Sequence, residues 1–138
     1  MSTAAARPLP RMDGMHGDFY RECARAGGLV FQRCEVCGTP RHPPRVLCAN
    51  CGSDQVAWVP SAGQGTIFSW TVTHQAPHPA FASQVPYAVV VVELEEDVRI
   101  VASLRELAPE HLELGLLVEV VLEEVSEGVP LPYARPRR

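Results

Sequence analysis

The sequence has 138 residues, 46% of them hydrophobic and 20% charged, with a formal net charge of −4. This length and composition are typical of one globular domain, or of a small module followed by a compact barrel, and they exclude a disordered chain. All 12 basic residues are arginines, which excludes chemistry that requires lysine, such as a Schiff base or the lysine of a phosphate-binding loop.

The apolar segments exclude two further classes of protein. The longest strongly apolar run, Tyr87–Val92, is far shorter than the roughly 20 residues that a membrane-spanning helix needs. The N-terminal residues contain no apolar stretch of the kind found in a secretory leader. We therefore expect a cytoplasmic protein that does not cross a membrane.

The first predicted element is a short helix over Asp18–Ala26, with its first residue as the N-cap and two glycines after its end. A helix of this length does not persist alone in water, so we expect its apolar face to dock on its own domain or on a partner. The apolar residues that share this face or lie beside it are Phe19, Tyr20, Cys23 and Ala26.

Six stretches rich in β-branched and aromatic residues predict strands, one before the cysteine-rich segment and five after it. The fourth is almost wholly apolar, as expected for a strand buried on both faces. A helical turn is predicted over Leu107–Leu112, and five strands with such a turn before the last are typical of an OB-fold barrel. The predicted strands are Leu29–Gln32, Val56–Val59, Thr66–His74, Tyr87–Leu94, Val98–Leu104 and Leu117–Val125.

The most specific motif is a double CxxC, in which Cys34 and Cys37 are followed after ten residues by Cys48 and Cys51. Each pair can place two thiolates about 2.3 Å from one Zn²⁺ ion, and paired knuckles of this kind form a zinc ribbon. Four thiolates fill the coordination sphere and leave no position for water or substrate. The motif therefore predicts a structural zinc ion with no catalytic role.

Three other interpretations of the four cysteines remain open. Two disulfides are disfavoured in a cytosolic chain, and a redox CxxC is normally single and lies at the start of a helix. An iron ion accepts the same four sulfur ligands. Metal analysis of the purified protein distinguishes all of these interpretations from zinc.

The sequence contains no recognisable catalytic constellation. His74 and His78 are four residues apart, but Pro77 and Pro79 exclude the helix that would bring their rings to one metal ion. We expect solvated or loop-packing histidines, with a position at the mouth of a partner's active site as the alternative. Cys23 is interpreted as a small buried hydrophobe, because no histidine or acid accompanies it at a catalytic spacing. We therefore predict a chain that is not an enzyme by itself.

These elements predict a mainly β fold with a short N-terminal helix, a zinc ribbon and a five-stranded OB-fold barrel. Residues 1–28 are interpreted as a tail and a docking helix, and residues 29–60 as the ribbon. Residues 61–138 are interpreted as the barrel with a C-terminal tail.

The chain closely resembles the acyl-CoA-associated family in which a rubredoxin-like zinc ribbon precedes an OB-fold, long called a domain of unknown function. The resemblance covers about residues 18–136, with one departure at Ala49-Asn50, where many members have proline after the cysteine. The segments that carry it are LVFQRCEVCG, PPR, CANCGS, GQGTIFSWTVTH, VPYAVVVVEL, VRIVASL and LPYARP.

The resemblance implies a non-catalytic subunit that works beside a thiolase-superfamily enzyme, either a thiolase or a retro-aldol-type aldolase. Some members accompany the degradation of steroid side chains, and they are thought to help hold or channel acyl-CoA within a hetero-oligomer. A MaoC-type enoyl-CoA hydratase is the alternative partner.

Two groups of residues are candidates for the contacts that this role requires. Arginines near the ribbon are candidates for binding a CoA phosphate or an acidic partner surface, because guanidinium groups form charge-assisted bonds with such groups. In the proline-rich loop 76–86, an exposed aromatic side chain is expected to act as an interface anchor. The candidate ligand-binding residues are Arg33, Arg41 and Arg45, and the candidate partner-binding residues are Phe19, Tyr20, His74, His78 and Phe81.

Binding of single-stranded nucleic acid is a further hypothesis, because zinc ribbons and OB-folds both serve it. Residues 1–60 carry seven arginines against five acidic residues, whereas residues 61–138 carry five against eleven. An acidic barrel half is a poor surface for a polyanion, so we expect no nucleic acid partner. An independent enzyme or a purely structural protein is the last alternative.

Overall fold

A computed structural model describes residues 7–137 and confirms the predicted mainly β fold. One antiparallel sheet has the strand order β2-β1-β3 and forms the ribbon, and the remaining five strands form a closed barrel in the order β4-β5-β6-β8-β7. The elements are helix α1 (Gly14–Ala26) and strands β1 (Val30–Cys34), β2 (Pro40–Arg41), β3 (Val56–Pro60), β4 (Gln64–Thr73), β5 (Tyr87–Leu94), β6 (Arg99–Leu104), β7 (Leu117–Ser126) and β8 (Val129–Pro136), with 3₁₀ turns at Pro79–Phe81 and Pro109–His111.

Helix α1 begins four residues earlier than predicted. Asp13 occupies the N-cap position without a side-chain cap bond, so the prediction of Asp18 as the N-cap is wrong. Asp18 lies inside the helix, where its carboxylate accepts a hydrogen bond from Arg21. The predicted end is confirmed, since Gly27 has a left-handed φ of 70° and donates to the carbonyl of Cys23.

The apolar face of α1 docks on its own chain. Phe19 and Cys23 are buried in one continuous core that also contains β1 and the barrel interior, whereas the predicted member Ala26 is exposed. The Phe19 ring lies 4.9 Å from the ring of His42 and 6.4 Å from that of Trp58. The helix therefore joins the ribbon to the barrel through shared apolar contacts.

The barrel has five strands, but the fifth is not the one predicted. Val56–Pro60 pairs with β1 in the ribbon, which agrees with the predicted ribbon range 29–60, so counting Val56–Val59 among the five barrel strands is wrong. The barrel instead contains β8, which lies in the predicted C-terminal tail and pairs with β6 and β7. Residues 1–6 of the predicted N-terminal tail, and residue 138, lie outside the described residues.

Strand β5 has one buried face and one partly covered face. Ala88, Val90, Val92 and Leu94 are buried in the barrel, and the residues that alternate with them are half-buried or exposed. The expectation that this strand is buried on both faces is therefore wrong, because the barrel covers only its inner side.

The segment that joins the ribbon to the barrel is fixed by one carboxylate. Glu96, in the turn between β5 and β6, accepts hydrogen bonds from Ser61 Oγ at 2.8 Å and from the backbone N–H of Ala62 at 2.7 Å. The N–H of Ser61 donates to the carbonyl of Leu29 at 2.9 Å. These bonds connect the two units beyond the single covalent link. Among the described residues, none of the helices is both long and apolar enough to cross a bilayer.

Candidate functional site

The four predicted metal ligands converge on one point. The sulfur atoms of Cys34, Cys37, Cys48 and Cys51 all lie within 4.8 Å of one another. The Cys34–Cys51 and Cys37–Cys48 sulfur distances are 3.6 Å and 3.5 Å. A tetrahedron with zinc–sulfur bonds of about 2.3 Å has sulfur–sulfur edges of about 3.8 Å, whereas a disulfide measures about 2.05 Å. The donor set therefore fits one structural zinc ion held by four thiolates.

The two knuckles have the same backbone construction. In the first, the N–H of Cys34 donates to the carbonyl of Thr39 at 2.9 Å, and the N–H of Gly38 donates to the carbonyl of Cys34 at 2.9 Å. The second knuckle, residues 48–53, repeats both bonds at 2.9 Å and 2.8 Å. The glycine that follows each pair has a positive φ, near 79° and 78°, which explains why a residue without Cβ stands there.

Polar neighbours favour the thiolate form of two ligands. The Thr39 hydroxyl lies 3.1 Å from Cys37 Sγ and lowers the pKa of Cys37 to about 5. The backbone N–H groups of Cys51 and Asn50 lower the pKa of Cys48. The thiolate is the form that binds zinc, so these contacts favour metal binding at Cys37 and Cys48, whereas burial and the neighbouring sulfurs raise the pKa of Cys51.

The structure separates the three candidate arginines. Gln32 pairs with Arg41 across β1 and β2, and Arg33 pairs with Pro40. Successive residues of a strand face opposite sides, so the Arg33 side chain faces away from that of Arg41. Arg41 and Arg45 line one cleft, whereas Arg33 does not belong to its lining.

This cleft lies between the ribbon and the barrel and has a volume of about 560 Å³. The ribbon wall comes from residues 40–49 and the barrel wall from residues 93–99. His42, on the ribbon wall, is neutral at pH 7, because burial and the nearby His16 lower its pKa to about 4. The charged residues of the lining are Arg41, Arg45, Glu93, Asp97 and Arg99.

A buried glutamine organises the ribbon wall, and sequence reasoning missed it. Gln32 is 2% exposed, and its Oε1 accepts hydrogen bonds from Arg41 Nε and from the Arg45 backbone N–H, both at 2.8 Å. Arg41 Nη2 also donates to the carbonyl of Arg45 at 2.9 Å. The only signal in the sequence is a polar residue that follows three apolar ones and stands two residues before a cysteine ligand.

The candidate partner-binding residues on α1 belong to the interior of this chain. Phe19 is 5% exposed, so its side chain packs inside its own chain, and contact with a partner stays a prediction. Tyr20 is half-buried beside it, with ring centroids 5.3 Å apart. The helix face is thus used to hold the ribbon and the barrel together.

The proline-rich loop is packed on itself. Phe81 is half-buried, with its ring 6.1 Å from that of Tyr87 and the Arg7 guanidinium 5.7 Å from its centroid, so the expectation of a freely exposed anchor is wrong. His78 Nδ1 accepts a hydrogen bond from the Ala80 N–H at 3.0 Å, which makes it a loop-packing residue. His74 is exposed immediately after β4. Contact of His74, His78 or Phe81 with a partner stays a prediction.

Large apolar side chains are exposed on the outside of the barrel. Phe68, at the register shift in β4, is 45% exposed, and Val101 of β6 is 60% exposed. Val101 pairs with the half-buried Val91, so both lie on the outer face. The Arg99 guanidinium lies 3.7 Å from the Phe68 ring centroid and 3.1 Å from a Glu93 oxygen. We call Phe68, Val91 and Val101 the outer barrel patch.

Comparison with family models gives the same two-part division. Residues 21–57 match the rubredoxin-like zinc ribbon domain of ChsH2, and residues 58–123 match the ChsH2 C-terminal OB-fold domain. Among solved structures, a chain of the Ltp2-ChsH2(DUF35) aldolase superimposes with a TM-score of 0.81 at 39% identity, covering 92% of this chain and 98% of that one.

Curated relatives carry hydratase and scaffold names. The chain is 41% identical over 132 residues to a probable enoyl-CoA hydratase alpha subunit of Thermomonospora curvata, covering 96% of this chain and 40% of the relative. It is 33% identical over 100 residues to a DUF35 domain-containing scaffold protein of Methanocaldococcus jannaschii, and the match covers 72% of this chain and 70% of that protein. It is 35% identical over 100 residues to the 3-oxo-4,17-pregnadiene-20-carboxyl-CoA hydratase alpha subunit of Mycobacterium tuberculosis, and the match covers 72% of this chain and 31% of that subunit. The chain thus spans less than half the length of both hydratase subunits.

Proposed function

The chain belongs to the ChsH2-type DUF35 family, in which a rubredoxin-like zinc ribbon precedes an OB-fold domain, and from this we propose that it is a non-catalytic accessory subunit of a thiolase-superfamily acyl-CoA enzyme. The observation that carries the proposal is the match over 98% of the ChsH2 chain of an aldolase complex. The scaffold name of the archaeal relative supports the same role.

The chemistry of the described residues supports a role without catalysis. The four clustered cysteines fill the coordination sphere of one ion, so the metal has no position for substrate. The remaining cysteine, Cys23, is fully buried, and burial raises its pKa to about 11, which keeps it a thiol at neutral pH. A nucleophile has to be exposed and ionised, and Cys23 is neither.

The way the two units are joined supports a scaffolding role. The Glu96 bonds to Ser61 and Ala62 fix the segment between ribbon and barrel, and α1 packs on both units. A scaffold has to present its binding surfaces at a constant distance and angle. Rigid joining of the two units serves that purpose because less conformational entropy is lost on assembly.

We place the enzyme partner on the outer barrel patch. Its side chains are apolar, they lie on neighbouring strands, and the Arg99–Glu93 pair supplies a polar rim. Protein interfaces combine an apolar centre with such a rim. Substitution of Phe68 by serine is expected to weaken the hetero-oligomer, and Leu9→Ser is the control, because Leu9 is 48% exposed and lies outside the patch.

A second candidate partner is a MaoC-type enoyl-CoA hydratase, favoured by the hydratase names of two relatives. In both relatives this chain corresponds to less than half of the protein, so the hydratase activity belongs to a longer polypeptide. A steroid-derived acyl-CoA is the substrate class that the mycobacterial relative suggests for either partner.

Co-expression tests the proposal. The zinc-loaded chain is produced with a thiolase-superfamily enzyme and, separately, with a hydratase from the same genomic neighbourhood, and complexes are measured by size-exclusion chromatography with light scattering. We expect a stable hetero-oligomer with the thiolase-type enzyme and acyl-CoA cleavage only by the complex. Turnover by the isolated chain, or no complex with the thiolase-type enzyme, would contradict the proposal.

A further inference from the structure

The cleft between the ribbon and the barrel is lined by three arginines, two from one segment of the ribbon and one from the barrel. Arg41 and Arg45 lie on the ribbon wall, and Arg99, which the sequence analysis did not single out, lies on the barrel wall. The volume of about 560 Å³ is in the range of small-molecule sites. Its position at a junction between two units is also typical of such sites.

Arg41 is held in place and retains one unused donor. Its Nε donates to Gln32 Oε1 and its Nη2 to the carbonyl of Arg45, whereas Nη1 is buried without a hydrogen-bond partner among the described residues. A buried N–H donor without a partner costs about 1–3 kcal/mol, so such groups are normally satisfied by a ligand or by water.

Arg99 is fixed on the opposite wall. Its guanidinium stacks on the Phe68 ring at 3.7 Å and pairs with Glu93 at 3.1 Å. Guanidinium groups that are already ordered lose little side-chain entropy when they bind, and their planar fork matches phosphate oxygens.

The acidic residues of the cleft limit where an anion can bind. Glu93 is paired with Arg99, and Asp97, the second carboxylate of the lining, lies on the same barrel wall. The charged residues of the ribbon wall are both arginines, and His42 beside them is neutral. The most favourable position for a strongly negative group is therefore on the ribbon side of the cleft, next to Arg41 and Arg45.

We propose that this cleft binds the diphosphate group of a nucleotide-like ligand, with Arg41 and Arg45 on one phosphate, Arg99 on the other, and Gln32 as the positioning residue for Arg41. The assignment of acyl-CoA as the source of the diphosphate rests on the proposed function. A free nucleoside diphosphate carries the same chemistry, and the experiment distinguishes the two.

The test is isothermal titration of the zinc-loaded full chain with inorganic pyrophosphate, ADP and CoA at low and at physiological salt. We expect Arg41→Gln to weaken pyrophosphate binding at least tenfold and Arg99→Gln to weaken it severalfold. Arg25→Gln removes the same charge from an exposed position on α1 and is the matched control, for which we expect no change. Preference for CoA over ADP identifies the acyl-CoA source, and the reverse preference identifies a free nucleotide.

Two further variants keep the proposal testable if Arg41→Gln does not fold. Arg45 is exposed, so Arg45→Gln is expected to keep its zinc and still lose affinity. Gln32→Leu keeps every charge and is expected to weaken binding by releasing the Arg41 side chain and the Arg45 backbone from their common acceptor. The proposal is overturned if Arg41→Gln and Arg25→Gln bind pyrophosphate with equal affinity, or if the parent chain binds none of the probes.

The outcomes for the cleft and for the proposed function are separable. If no probe binds but the hetero-oligomer forms, the cleft proposal fails and the proposed function stands. If the probes bind in the expected order but no enzyme partner is captured, the proposed function fails and the diphosphate site stands.

Discussion

The ribbon and the barrel are stabilised in different ways. Inside the barrel, Ile67, Val90, Val92, Ile100 and Val118 are at most 3% exposed and form a conventional apolar interior. Apart from β1, which lies in the core shared with the barrel, the ribbon exposes Val36, Val46 and Leu47 by 57–66%, and its knuckles converge on four thiols. A segment too small to bury an apolar core can obtain its folding free energy from a metal ion. One chain therefore contains a metal-dependent unit and a unit that depends on apolar burial.

The largest expected effect is the loss of zinc. Chelation, or Cys34→Ser, is expected to unfold the ribbon and leave the barrel folded, because the ligands of both knuckles meet at the metal. The two tryptophans report the two units separately, since Trp58 lies in β3 and Trp70 in β4. When zinc is removed, we expect the emission of Trp58, measured in the Trp70→Phe variant, to shift to the red. The emission of Trp70, measured in the Trp58→Phe variant, is expected to change little.

Metal content measured on the same samples provides the control. Cys23→Ala removes a cysteine that lies outside the cluster and is expected to retain one zinc ion per chain. Unchanged Trp58 emission after complete removal of the metal would show that the ribbon folds by itself, and the comparison would then be wrong.

The second prediction perturbs the barrel. Val90 is fully buried, and Val90→Ala is expected to lower the free energy of unfolding by about 2 kcal/mol through lost apolar burial and the cavity left behind. Val101→Ala is the matched control on the next strand, where the side chain is 60% exposed, and is expected to cost less than about 0.5 kcal/mol. Urea titration followed by Trp70 emission, with zinc content measured in parallel, checks both values. Equal costs for the two valines would contradict the assignment of the barrel interior.

The third prediction concerns the loss of stability at low pH, which we assign to a histidine of the ribbon. His42 packs on Phe19, and its pKa is lowered from 6.5 to about 4 by burial and by His16. In the unfolded chain this imidazole takes up a proton near pH 6.5, whereas the folded chain resists protonation until about pH 4. Stability therefore falls as the pH drops below 6.5, by about 2 kcal/mol at pH 5 relative to pH 8.

Thermal unfolding between pH 8 and pH 5, with zinc content determined at each pH, measures this contribution. Where zinc content is constant, the stability of His42→Gln is expected to depend less on pH than that of the parent chain. His111→Gln, at an exposed histidine of the barrel, is expected to leave the profile unchanged. The same slope in the parent chain and in His42→Gln would place the acid sensitivity elsewhere.

The parts of the fold that were predictable from sequence depend on local chemistry. The CxxC spacing places thiols on a short turn whatever the rest of the chain does, so the metal cluster was found correctly. Tyr87–Leu94 matches β5 because an unbroken run rich in valine favours a strand whether one face or both faces are covered. Strand β8 was missed because it contains Pro130, Pro132 and Pro136, which normally indicate that a segment is not a strand.

The parts that were not predictable depend on register and tertiary contact. Arg33 and Arg41 are close in sequence to the same cysteine knuckle, yet the β1–β2 register directs them to opposite faces. Arg99 reaches the cleft only because the barrel folds against the ribbon. The burial of Phe19 was not predictable for a related reason, since an apolar face on a short helix does not reveal whether its own chain covers it.

The smallest expected effect is at the joint between the two units, and it sharpens the comparison most directly. Glu96 is half-buried and holds both Ser61 and Ala62, so Glu96→Ala is expected to cost about 1 kcal/mol through the loss of these hydrogen bonds. Glu95→Ala, at an exposed neighbour whose carboxylate pairs with Arg137 at 3.5 Å, is the control. If the joint couples two units with separate sources of stability, the Trp58 and Trp70 unfolding curves coincide in the parent chain and separate in Glu96→Ala. Curves that stay superimposed would show that α1 alone keeps the units coupled, because its apolar face contacts both.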